Sequence, residues 1–89
     1  MQTNFLLGVI QLTEEARQAL GRLPYDLLAR HAINEHGHIT DSEMKKNMAG
    51  MKTIGEIISR YRLDPTNPGS KAVVVLTASP WDKTTIYLE

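Results

Sequence analysis

T-I-G-E-I-I-S-R-Y-R-L, residues 53–63, is where this chain changes its period. From Ile54 onward the apolar positions stop recurring at helical spacing and begin to alternate. Ile57, Ser59, Tyr61 and Leu63 fall on one side, and Ile58, Arg60 and Arg62 on the other. Such alternation over β-branched and aromatic residues marks a half-buried strand. Two further runs read as strands, A-V-V-V-L-T (72–77), the most strand-like in the chain, and T-T-I-Y-L-E (84–89). The segments between them, D-P-T-N-P-G-S (64–70) and A-S-P-W-D-K (78–83), carry prolines that cannot sit in a ladder. Three strands joined by short loops predict an antiparallel meander.

Upstream of residue 54 the pattern is helical, apart from an apolar run, Phe5 to Leu12, that reads as a short strand. Thr13 is placed as an N-cap, with Glu14 and Glu15 in the first turn and Gly21 at the stop. Pro24 suits the start of a second helix reaching His31 or Ile33, and Asn34 to Gly37 breaks it. Thr40 and Glu43 make a capping box for a third helix. On it Met44, Met48 and Met51 form a stripe at i, i+4 and i+7, expected to face the core. The fold class is therefore α+β: a short N-terminal strand, two to three helices, then a three-stranded antiparallel meander packed on the helices.

With 89 residues the chain is expected to form one domain, residues 1–89, around one small core. Ten basic and ten acidic residues give zero net charge, which argues against a broad polybasic surface for nucleic acid. There is no cysteine, so disulfides and thiolate metal sites are excluded. The first residues lack a basic region or cleavage signature and read as neither signal peptide nor membrane span. The expected location is cytoplasmic.

All three histidines fall in R-H-A-I-N-E-H-G-H, residues 30–38. His31, His36 and His38 are spaced five and then two apart, across a predicted break. A helical zinc pair needs i and i+4, so no metal and no cofactor is expected. His31 reads as a helix C-terminal imidazole. Arg60, Arg62 and Lys71 come together if the first two meander strands pair, and with Tyr61 and Trp81 would offer a small cationic and aromatic patch. Trp81, the only tryptophan, is either folded back over the sheet edge or displayed as a contact anchor. No G-x-G-x-x-G, P-loop, nucleophile elbow or H-E-x-x-H is present.

Several short features in collinear order carry a resemblance. They are T-N-F with L-G (Thr3, Asn4, Phe5, Leu7, Gly8), L-A-R-H (Leu28–His31), Gly37 and Asn47. S-x-Y-x-L (Ser59, Tyr61, Leu63), V-x-T (Val75, Thr77) and T-T-I (Thr84–Ile86) follow. Over nearly its full length the chain resembles the small plasmid-related proteins of proteobacterial plasmids and integrative conjugative elements. That family tends to have G-D-W-G where Asn34–Gly37 stand here, and a T-E-A-D-R-S-like segment in place of T-A-S-P-W-D-K. The resemblance implies a mobile-element setting and no particular activity.

Three functional readings follow. The first is a non-enzymatic protein-binding module, acting on a host or mobile-element protein and possessing an anti-defence role in that setting. Its contacts would be Trp81, Tyr87, His36 and His38, and a homodimer through the exposed sheet edge is a further expectation. The second is a metal-independent ribonuclease of the barnase or colicin-toxin kind, using His31, Arg60 and Thr85 as base, cation and hydroxyl. The third is a single-stranded nucleic-acid binder using Arg60, Arg62 and Lys71.

Overall fold

A computed structural model describes residues 5–89. The elements run β1 (Val9–Leu12), α1 (Glu14–Leu20), α2 (Tyr25–Ala32), α3 (Asp41–Thr53), β2 (Ile57–Arg62), β3 (Ala72–Ala78) and β4 (Lys83–Leu88). The fold is α+β. Thr3 and Asn4, two of the positions behind the family resemblance, lie outside the described residues. Among the described residues no helix is long and apolar enough to cross a membrane.

Local chemistry accounts for the helix ends. The Thr13 hydroxyl accepts the Ala16 N–H at 3.3 Å, and Gly21 closes α1 in the left-handed conformation. Thr40 and Glu43 form both bonds of the capping box on α3.

β2, β3 and β4 pair antiparallel in sequence order, as the alternating pattern predicts. The first strand enlarges that meander: β1 lies parallel to β4, giving a mixed four-stranded sheet in the order β1-β4-β3-β2. The expected strand from Phe5 is also shorter, beginning at Val9. Gly8 explains the start. At φ 67° it crosses the loop before β4 so closely that a Cβ would sit 2.1 Å from the Asp82 carbonyl carbon.

One face of the sheet carries the core. Ser59, Val75, Ile86 and Leu12 stand in one register row, with Tyr61 and Val73 beside them. Ala16 of α1 and Leu27 of α2 pack onto this face. Leu63, expected to continue it, lies beyond β2 and is exposed.

The methionine stripe corrects the expectation for α3. Met44 and Met48 are 50% and 61% exposed, because α3 docks through a different stripe. Glu43, Asn47 and Gly50 meet β2, and each methionine stands one residue, about 100°, further round the helix. Asn47 is buried and acts as a substitute strand. Its side-chain amide donates to Ile58 O, and its carbonyl accepts from Ile58 N–H, both at 2.8 Å. Two residues along, Arg60 N–H donates to His36 O at 2.9 Å and His38 N–H donates to Arg60 O at 2.8 Å. Gly37 permits this approach: it sits at φ 71°, and a Cβ there would lie 2.1 Å from Arg60 O.

Candidate functional site

The inward faces of the strands are not uniformly apolar. Ser59 interrupts Ile57 and Tyr61, Thr77 follows Val73 and Val75, and Thr84 precedes Ile86. All three hydroxyl residues are fully buried, so each needs a partner. His31 supplies it from the last turn of α2, also with no exposed surface. Its Nδ1 lies 2.6 Å from Ser59 Oγ and its Nε2 2.9 Å from Thr77 Oγ1. Thr77 and Thr84 hydroxyls meet at 2.7 Å, the Thr84 hydroxyl bonds to Leu7 O at 2.6 Å, and His36 Nδ1 lies 2.6 Å from Ser59 Oγ.

The direction of this chain follows from counting protons. A carbonyl only accepts, so Thr84 spends its single O–H on Leu7 O. Thr77 must then donate to Thr84, and His31 must donate Nε2–H to Thr77. Burial pushes the His31 pKa down to about 3, with the neighbouring His36 charge a smaller cause. A neutral His31 has no second proton, so its Nδ1 accepts the Ser59 O–H. Ser59 has then no proton left, and His36 donates Nδ1–H to it. One carbonyl at the far end thus sets the tautomers of two imidazoles.

Chemically, His31 is a tie. It joins α2 to β2 and β3, and through Thr77 and Thr84 to β4 and the chain before β1. Both its nitrogens are engaged, and it stays neutral throughout the physiological range. Phe5 closes over it edge-on, with ring centroids 5.1 Å apart. His36 differs: it is half-buried, and burial lowers its pKa without a second partner on the ring. Among the described residues its Nε2 has no protein partner and is not a buried orphan. That atom can take a proton or a ligand without reversing a single bond of the chain.

The residues proposed for ribonuclease chemistry do not converge. Arg60 and Thr85 alternate with the inward-facing Ser59 and Thr84, so they lie on the opposite face from His31. Of the nucleic-acid set, Arg60 and Arg62 share the outer face of β2, and Lys71 precedes Ala72, the register partner of Arg62. Arg60 is clamped by Glu43, with its Nη2 at 2.8 Å, and paired with Glu89. The hydrogen bonds to Glu43 raise its pKa further, and the two carboxylates leave little free positive charge. Tyr61 is buried on the inner face, donating its hydroxyl to Glu35 O at 2.6 Å. Lys71 is exposed just before β3, and Arg62 lies on the outer face at the end of β2.

Trp81 takes the folded-back alternative. Its indole N–H donates to Gly55 O at 2.8 Å, and its ring lies 5.6 Å from Phe5. It holds a left-handed backbone at φ 72°, so the loop is shaped around that anchorage. Tyr87 is half-buried on the outer face, and His38 is exposed. His38 lines a groove of about 220 Å³ with Arg22, Arg30 and Arg62. Asp26 pairs with Arg22, and Glu35 lies 3.7 Å from Arg30. Among the described residues, no group of three or more His, Asp or Glu side chains is arranged to hold a metal ion.

Sequence reasoning missed Asn47, Ser59, Thr77 and Thr84 as working residues. The signal was available for three of them, since a hydroxyl at an inward strand position requires a partner from the facing helix. Compared with protein-family models, curated proteins and solved structures, the chain matches none of them.

Proposed function

We propose that this protein is a non-enzymatic binding module that captures an extended segment of a partner protein along β1. One observation carries the reading. β1 is the terminal strand of the sheet, and its flank is apolar, uncharged and free of proline. Leu6, Val9 and Ile10 are 69%, 66% and 41% exposed. Val9 and Thr13 donate inward, to Asp82 O and Ile86 O, so the alternating backbone groups of Ile10 and Leu12 face outward. An edge that the described residues leave uncovered accepts an added strand, with backbone bonds supplying affinity and side-chain pockets specificity. The family resemblance adds a setting: on a mobile element, such a module would hold a host protein, for example one belonging to a defence system.

Tagged wild-type protein, Val9→Lys and Ile10→Pro are to be compared for partner capture from host lysate. Ile10→Pro removes an outward N–H while sparing the bonds to β4. Loss of the same captured protein in both variants is expected; capture that persists in Ile10→Pro sinks the proposal. Sedimentation of the purified protein reads the other occupant, a second copy, as a dimer abolished by the same substitutions.

A further inference from the structure

A second feature, independent of β1, lies where α3 passes the end of α2. The stripe displaced from the core, Met44, Met48 and Met51, lines a groove of about 200 Å³ together with Asn34, His36 and Asn47. Three of the chain's four methionines are thus gathered beside one imidazole. Positions i, i+4 and i+7 share a helix face, and unbranched thioether arms can bring their sulfurs together. Both ends of the Asn47 amide are engaged by Ile58, and Asn34 adds only a neutral amide. No carboxylate lines the groove.

His36 is prepared for a ligand in a particular way. Its Nδ1–H is spent on Ser59, whose own proton goes to His31, so the ring is oriented and its Nε2 carries the lone pair. A hydrogen bond from the second ring nitrogen is the usual support of a metal-binding histidine. Thioethers with one imidazole, and without hard oxygen anions, select a soft cation over zinc, magnesium or calcium.

We propose that this groove binds a single soft monovalent metal ion, Cu(I) or its redox-silent counterpart Ag(I), through Met44, Met48, Met51 and Nε2 of His36. The site goes beyond partner capture at β1 and stands or falls separately.

Ag(I) titrated into the purified protein in chloride-free buffer provides the test, read by calorimetry and by methionine-methyl and histidine-ring NMR signals. One saturable equivalent is expected, shifting the methyls of Met44, Met48 and Met51 and the ring of His36. The double variant M44L/M48L changes two exposed side chains conservatively, keeps the amide dispersion of the fold, and should lose saturable binding. A tenfold excess of Zn(II) should leave the Ag(I) isotherm unchanged. Absence of Ag(I) binding, binding that survives M44L/M48L, shifts confined to His38, or displacement by Zn(II) would each overturn the assignment.

Discussion

Along β2 the outward backbone groups of Ile58 and Arg60 all find partners within the chain, whereas along β1 the described residues leave the flank open. Closing the β2 edge takes a buried Asn on α3, a glycine at positive φ and a half-buried histidine. Among the described residues nothing comparable is placed beside β1, although its side chains are the more apolar. Both edges belong to one sheet and differ in what holds their outward backbone groups. The contrast is between an edge closed within the fold and one that the described residues leave uncovered.

The largest effect should come from acid, and should fall on the closed edge. His31 titrates near 3 in the folded protein, and an unfolded histidine near 6.5. Between those values the unfolded chain binds more protons, so stability is full above about pH 6.5 and falls as pH drops. The expected slope is about 1.4 kcal/mol per pH unit from His31, with His36 adding to it. Glu43, held low chiefly by its hydrogen bonds from Arg60, contributes only further down the scale. Urea unfolding between pH 6.5 and 5 therefore isolates the histidines, and a flat midpoint there would refute the neutral His31. Amide exchange at Arg60, bonded to His36 O, should quicken over the same window before exchange in β4 does.

Asn47→Ala comes next. It deletes both bonds to Ile58 and leaves a buried N–H and C=O without partners, for a loss of about 3 kcal/mol. Denaturant melts would measure the loss, and exchange would place it at the Ile58 amide while Gln11 keeps its protection. Equal deprotection at both edges would mean that the sheet opens as one unit and that the contrast carries no energetic meaning.

How far the two edges were legible differs for physical reasons. Alternation from Ile54 to Leu63, the apolar runs at 72–77 and 84–89 and the caps at Thr13, Gly21, Thr40 and Glu43 are local, so these elements are legible directly to within a few residues. The meander was readable for the same reason, since its strands are joined by short loops. The parallel seat of β1 was not, because its partner strand is more than seventy residues away and no local pattern marks the pairing. The α3 docking face was misread because burial follows hydrogen-bond need at Ile58 and not apolarity: the polar stripe went in and the methionines stayed out. Arg30-His31 is legible as a helix end, but the partners of His31 lie at positions 59 and 77, beyond any local pattern. His36 and His38 diverge, one closing the hydroxyl chain and the other facing solvent.

Val9→Lys should have the smallest effect on folding and is the sharpest test of the open edge. Val9 lies on the sheet's outer side and is mostly exposed, so the substitution should change stability by no more than about 0.5 kcal/mol. A lysine on an edge strand is also one of the devices that discourages strand addition. The two consequences therefore separate: unfolding midpoints should stay where they are while any association through β1 disappears. A drop of several kcal/mol would show that Val9 is packed in solution and that the edge is already covered. An unchanged midpoint with unchanged association would move the binding surface away from β1, leaving the bare edge as a strand that the fold tolerates without using.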